Sequence, residues 1–138
     1  MGLFTRKQPP VELSVVELAG GAYCAVAGES FYGEAIAKTV PACWSDGDDD
    51  RVFRAILVAE PNNEYDTNAV GVWSSFGKLG HLPREEAALY RPLFDEIRSR
   101  GYDGGCCEAV MRGGTPDKPN IGIVLRLSRP EICLAELD

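Results

Sequence analysis

The sequence lacks any apolar run that approaches the roughly 20 residues needed to cross a bilayer. No signal peptide is expected either, because the opening MGLFTRKQPP is too short and too polar for one. The myristoylation pattern fails at Arg6, where Ser or Thr is required. We therefore expect a cytoplasmic protein that has no membrane partner.

The sequence also lacks closely spaced pairs of metal ligands and recognisable catalytic motifs. Five cysteines occur without a CxxC pair, whereas a zinc site draws its nitrogen or sulfur ligands from close pairs. Their odd number also argues against a disulfide framework, so reduced and mostly buried thiols are predicted. The chain has one histidine, no phosphate-binding glycine loop, and no Ser or Cys beside an evident base. These absences predict no catalytic residues, no metal, no cofactor and no enzymatic activity.

Basic residues are few: the chain has 14 Lys and Arg against 21 Asp and Glu, and its net charge is −7. Non-specific nucleic-acid binders carry a basic face, so this balance argues against tight, sequence-independent DNA binding. Several of the acids lie in DGDDD, residues 46–50, which lacks the spaced ligands and terminal Glu of a calcium loop. That run is predicted to be a solvated loop.

The patterning that is present predicts one domain over residues 11–130, between an N-terminal tail at 1–10 and a C-terminal tail at 131–138. Apolar and alternating segments predict strands at 11–18, 20–28, 51–60, 68–74, 78–82, 105–113 and 120–128. The strand at 51–60 is apolar on both faces for much of its length, so it is expected to be central.

Two segments have helical spacing. Residues 29–40 predict a short helix, with Ser30 as its cap. Residues 83–101 predict the main helix, with Pro83 at its first position and Pro92 expected to kink or split it. The predicted fold is therefore α+β: a small, OB-like, partly open β-barrel of about six strands, with one main helix and a short helix.

One connection between strands is unusually polar. The segment EPNNEYDTNAV, Glu60 to Val70, holds more polar side chains than a turn requires. Asn tolerates left-handed conformations and bonds its own backbone, which predicts that Asn62, Asn63 and Asn68 shape this loop. Asp66 can cap the same loop or bind a ligand, and Tyr65 can cover the barrel end or face a ligand.

This loop and a second motif together resemble the HIRAN domain family, whose core holds a PNNPYDxNAI-type segment and a GHLP or GHIPRE-type turn into a helix. The matching residues occur in the family's order and at the expected separation, and the similarity covers about residues 21–127. They are Pro61, Asn62, Asn63, Tyr65, Asp66, Asn68 and Ala69, followed by Gly80, His81, Leu82, Pro83 and Arg84.

The resemblance implies a small β-barrel related to OB folds, found free-standing in bacteria or fused to helicases and nucleases. In helicase-type members the domain captures the 3′ end of single-stranded DNA, which implies a DNA 3′ end and a helicase or nuclease as partners, in DNA repair or processing. By motif position, the DNA-binding residues would be Phe31, Tyr32, Tyr65, Asp66, His81 and Arg84.

Elementary chemistry supports the same roles. A base gains about 1–3 kcal/mol when it stacks on an aromatic ring, whatever its identity. A carboxylate accepts a hydrogen bond from a hydroxyl but repels a phosphate, so Asp66 could select a free terminus. His81 and Arg84 would then contact the penultimate phosphate.

Other residues favour a second hypothesis, a protein-interaction or regulatory domain that keeps the fold and has lost DNA affinity. Helicase-type members place a basic residue where this chain has Ser30, preceded by Glu29. This alternative predicts acid around the pocket from Glu29, Glu34 or the Asp run. The first hypothesis predicts a basic and aromatic pocket despite the acidic total.

Overall fold

The computed structural model describes residues 13–47, 51–114, 116–117 and 119–137. The predicted N-terminal tail at 1–10 and the acids Asp48 to Asp50 lie outside these ranges. The described residues form eight strands: β1 Val15–Glu17, β2 Tyr23–Ala25, β3 Trp44–Ser45, β4 Arg51–Ala59, β5 Val70–Ser74, β6 Gly77–His81, β7 Gly104–Gly113 and β8 Ile121–Arg126. The helices are α1 Gly33–Thr39, α2 Arg84–Ser99 and α3 Pro130–Ala135, with 3-10 turns at Glu29–Phe31 and Val40–Ala42.

The strands form one curled sheet in the order β2-β8-β7-β4-β5-β6, with β1 beside β7 and β3 beside β4. Apart from the parallel β1–β7 pair, every strand pairing is antiparallel. The two ends of this path meet at a single bridge, where Ala27 and His81 exchange backbone hydrogen bonds of 2.8 and 2.9 Å. The sheet is therefore a partly open barrel closed at one point, and the predicted α+β fold is confirmed.

Strand β4 lies at the centre, as its two apolar faces predict. It pairs with β7 along residues 51–57 and with β5 along residues 56–59. The main helix α2 contributes a buried stripe to the same core, made by Tyr90, Leu93, Phe94 and Ile97. This spacing gives α2 one apolar face. The buried Tyr90 hydroxyl is satisfied by donating 2.7 Å to the Ser128 carbonyl.

Three local expectations need correction. Pro92 does not split the main helix, which runs unbroken because Pro92 is exposed while its neighbours Leu93 and Phe94 pack into the core. Pro83 caps that helix instead of starting it. Ser30 does not cap the short helix either: it lies inside the 3-10 turn, and Tyr32 takes the capping position without a side-chain bond.

The C-terminal residues are more ordered than the predicted tail. Helix α3 occupies Pro130–Ala135 and buries Cys133. All five cysteines are free thiols, and Cys24, Cys107 and Cys133 are buried, as expected for small hydrophobic residues. Within the described ranges, no helix has both the length and the apolar character of a membrane span.

Candidate functional site

The polar loop between β4 and β5 is held by its own side chains. Asn63 Oδ1 accepts the backbone N–H groups of Tyr65 at 2.8 Å and Asp66 at 3.1 Å. Asp66 Oδ1 accepts the N–H of Asn68 at 2.9 Å. The predicted shaping role is thus confirmed for Asn63, and Asp66 also caps the loop. Asn68 instead uses its side-chain oxygen to accept a 2.7 Å bond from Arg91 on α2; the role of Asn62 stays a prediction.

Glu60, the first residue of the loop, forms a network that ties the loop to β6. Its carboxylate pairs with Lys78, approaches His81 Nε2 at 3.1 Å and accepts the Asn63 amide at 2.9 Å. A side chain at Gly71 would place its Cβ 2.5 Å from the Glu60 carboxylate, so glycine leaves the space for this group. No local pattern predicts this network, because Glu60 and Lys78 are 18 residues apart in the chain and meet only through the pairing of β4, β5 and β6.

A β-bulge explains how Lys78 and His81 reach one carboxylate. Residues three apart on a regular strand point to opposite faces. Here the β5–β6 register shifts between Val72 and Trp73, so that Val72 pairs with Gly80 while Trp73 pairs with Lys78. The extra residue restores both side chains to the same face, which is how bulges redirect side chains.

The network keeps Glu60 ionised. Burial by itself raises the pKa of Glu60, but hydrogen bonds from His81, Lys78 and Asn63 outweigh it and lower the pKa to about 2. Glu60 is therefore an anion at every pH at which the protein is expected to work, and it offsets the positive charge of Lys78.

The pH dependence of stability should report this network. Because the folded pKa lies below the unfolded value of 4.5, the stabilisation is complete above that value and is lost as pH falls toward 2. Between pH 6 and 3, urea unfolding should show the wild type losing about 2 kcal/mol more than Glu60→Gln. Parallel pH profiles for the two proteins would contradict the lowered pKa.

Three predicted site residues lie together on the loop and at the start of α2. The Tyr65 ring is 82% exposed and free to meet a ligand. The Asp66 side chain beside it is only 19% exposed, and its Oδ2 lies 3.8 Å from Arg84 Nε. Arg84 also donates a 3.3 Å bond to the Tyr65 carbonyl. The loop thus presents an aromatic face, a carboxylate and a guanidinium side by side.

The remaining predicted residues are placed by the barrel closure. The Ala27–His81 bridge brings the chain entering the first 3-10 turn against β6, so the half-buried Tyr32 ring lies 6.3 Å from the His81 ring. Phe31 is 84% exposed. Glu29 is turned away, since its carboxylate accepts the Ile123 N–H at 3.0 Å. His81 therefore contacts the loop through Glu60, and Tyr32 lies against His81 with Phe31 next to it in the chain.

A cavity of about 660 Å³ opens next to this cluster. Four aromatic residues line it, Phe31, Tyr32, Trp73 and Phe76, together with Lys38 and Lys78. Phe76 and Lys38 could not be assigned to a site from the sequence, because nothing in their local pattern shows that the β5–β6 turn faces α1.

Two proteins of known structure are similar to this chain at low sequence identity. A protein from Lactobacillus plantarum of known structure is 23% identical, with 75% of this chain and 88% of that chain covered at a TM-score of 0.49. The HIRAN domain of human HLTF is 22% identical, with 82% of this chain and 77% of that chain covered at a TM-score of 0.43. No curated protein matches the sequence.

The family model for the HIRAN domain matches residues 50–115, a segment that contains Tyr65, Asp66, His81 and Arg84 but neither Phe31 nor Tyr32. This match confirms the resemblance drawn from the two motifs. Over residues 50–115 the chain is therefore similar to the HIRAN domain family, as its two motifs predict.

Proposed function

We propose that this protein binds the 3′ end of single-stranded DNA through the loop between β4 and β5. The family supports a nucleic-acid partner in general. The observation that carries the finer proposal is the loop itself, which holds an exposed ring at Tyr65 directly beside a partly buried carboxylate at Asp66. A terminal base would stack on Tyr65 while its 3′ hydroxyl donates to Asp66.

Selectivity for a free end follows from the position of Asp66. Its Oδ1 is already engaged by the Asn68 N–H, which fixes the carboxylate in place. Oδ2 is left facing Arg84 at 3.8 Å and can accept a hydrogen bond from a hydroxyl group. A 3′ phosphate would bring negative charge against this carboxylate, so it would be disfavoured.

The phosphates of the DNA strand need positively charged partners, and basic side chains at the site can provide them despite the negative net charge of the chain. The Arg84 side chain is 78% exposed, and its pair with Asp66 is too long and too solvated to hold it strongly. His81 is near enough to Tyr32 to flank the same nucleotide, although Glu60 shares its Nε2. Binding is therefore expected to be modest in affinity and sensitive to salt.

Fluorescence anisotropy at low salt tests end recognition, using short single strands that end in a 3′ hydroxyl or a 3′ phosphate. The wild type should prefer the hydroxyl by about tenfold or more, which corresponds to roughly 1.4 kcal/mol. Asp66→Asn keeps the oxygen that caps Asn68 but removes the charge, so the preference should fall to a few-fold at most. Equal binding of both strands by the wild type would refute the role of Asp66.

We propose a binding role rather than catalysis, with a helicase or nuclease acting on the captured end in DNA repair or processing. The family's fusions to such enzymes are what suggest these partners. The test is co-purification of the two proteins with and without a single strand. A partner that binds equally well when Tyr65 is replaced would not be recruited through the DNA end.

A second candidate is a protein-interaction domain that has lost DNA affinity. One observation favours it: acidic side chains near the site pair with its lysines. Glu60 pairs with Lys78, and the Glu34 carboxylate, 88% exposed, lies 3.8 Å from Lys38. The same titrations discriminate the two functions. Absence of binding to either strand at low salt would exclude the first and favour this one.

A further inference from the structure

The cavity between α1 and the β5–β6 turn lies outside the loop that would hold the DNA end. We propose that this cavity binds the bases just upstream of the captured 3′ terminus, so that the protein reads a short single strand and not the terminal nucleotide alone. The inference rests on the proposed function and extends the same site by a second subsite.

The lining of the cavity has the chemistry of a stacking platform. Trp73 and Phe76 come from β5 and the turn after it, and Phe31 and Tyr32 come from the 3-10 turn on the opposite side. Phe76 and Phe31 are exposed, although large aromatic side chains are ordinarily buried. Aromatic side chains in an open groove accept any base, because every base presents a π face.

One lining residue can serve as a phosphate partner. Lys38, Lys78 and Glu34 all line the cavity, and Glu60 already pairs with Lys78, which leaves Lys38 as the cation that a phosphate would meet. The Lys38 partner, Glu34, lies at 3.8 Å in an exposed pair on consecutive helical turns, and such pairs are worth little. A phosphate can therefore replace Glu34 as the partner of Lys38. Lys78 lies 5.8 Å from the Trp73 ring centre, which holds the indole beside a positive charge.

Two residues that line the cavity connect it to the network that holds the loop. Tyr32 lines it and also lies against His81. Lys78 lines it and also bonds Glu60, which in turn holds His81 and Asn63. A DNA single strand whose 3′ end lies at Tyr65 would thus pass Tyr32 and His81 before its upstream bases reach Trp73 and Phe76.

The test compares two hexanucleotides with the same 3′ terminus, one with all bases and one abasic at its upstream positions. The wild type should bind the full strand about tenfold more tightly than the abasic strand. Phe76→Ala should abolish that difference while keeping the preference for a 3′ hydroxyl. Lys38→Gln should lower the salt dependence of binding by about 0.7 in log–log slope, as expected for one lost phosphate contact. Leu89→Ala, an exposed apolar position on α2, is the matched control and should change neither property.

A spectroscopic measurement supports the same test if a variant is poorly folded. The chain has two tryptophans, so Trp44→Phe leaves Trp73 as the only indole. Its fluorescence should be quenched by the full strand and much less by the abasic strand.

The outcomes separate the two proposals. No binding of any strand by the wild type refutes the proposed function, and this inference with it. Binding with end preference but without an effect of Phe76→Ala or Trp73 quenching refutes only the second subsite, and leaves the cavity to another ligand such as a peptide. If Phe76→Ala loses the base-dependent difference but the wild type shows no preference for a 3′ hydroxyl, the cavity subsite is supported and end recognition is refuted.

Discussion

Replacing Tyr65 with alanine should weaken the binding of a 3′-hydroxyl single strand by about ten- to a hundredfold and leave the folded protein intact. The expected loss follows from the stacking energy of one base, roughly 1–3 kcal/mol. Folding should be unaffected because the ring is 82% exposed, and the loop is held by Asn63 and Asp66 through backbone groups instead. Anisotropy titration gives the affinity, and thermal unfolding checks the fold.

A matched control exists in Tyr23, an exposed tyrosine on β2 opposite Arg126. Tyr23→Ala removes the same ring from a surface outside the site, so its affinity should stay within twofold or so of the wild type. If both substitutions weaken binding equally, aromatic surface in general binds the strand and the loop has no special role. If neither does, stacking on Tyr65 is wrong.

The largest effect on stability is expected from Gly104→Ala at the start of β7. A Cβ at this position would overlap the backbone carbonyl oxygen of Leu57 on β4, a neighbour that cannot rotate away as a side chain does. Overpacking of this kind typically costs about 1–3 kcal/mol, and contact with a rigid strand places the expected value near 3 kcal/mol. The melting temperature should fall by about 10 °C.

Gly122→Ala on β8 is the corresponding control. No heavy atom among the described residues, beyond its chain neighbours, lies within 4 Å of the position that a Cβ would take there. Alanine also loses less conformational freedom on folding than glycine, so this variant should be as stable as the wild type or slightly more stable. Equal melting temperatures for the two variants would show that β7 can move away from β4 at little cost.

Local pattern explains how much of the fold was predictable. The apolar run of β4 and the stripe of Tyr90, Leu93, Phe94 and Ile97 on α2 are set by residues within one element, and both elements were predicted with nearly the observed bounds. The wrong prediction at Pro92 has a cause outside the local sequence. Pro92 weakens a helix in isolation, but burial of its neighbours outweighs the missing hydrogen bond.

The candidate site was predictable only in part. Tyr65, Asp66, His81 and Arg84 could be proposed because two short motifs carry them. Their roles as ligands stay predictions, whereas the contacts that hold them are visible in the structure. Trp73, Phe76 and Lys38 could not be assigned to a site, because each is an ordinary residue in its own element.

The sequence by itself therefore determined the order of the longer strands and of the helices α1 and α2, the polar loop and the similarity to the HIRAN family. Only the tertiary structure decided that Glu60 is shared by Lys78 and His81, because this requires the register shift in the β5–β6 pair. It also decided that residues 31–38 face residues 73–78 across a cavity, because the Ala27–His81 bridge closes the barrel there. Hydrophobic periodicity is a property of a single segment, whereas register and closure depend on hydrogen bonds between segments far apart in the chain.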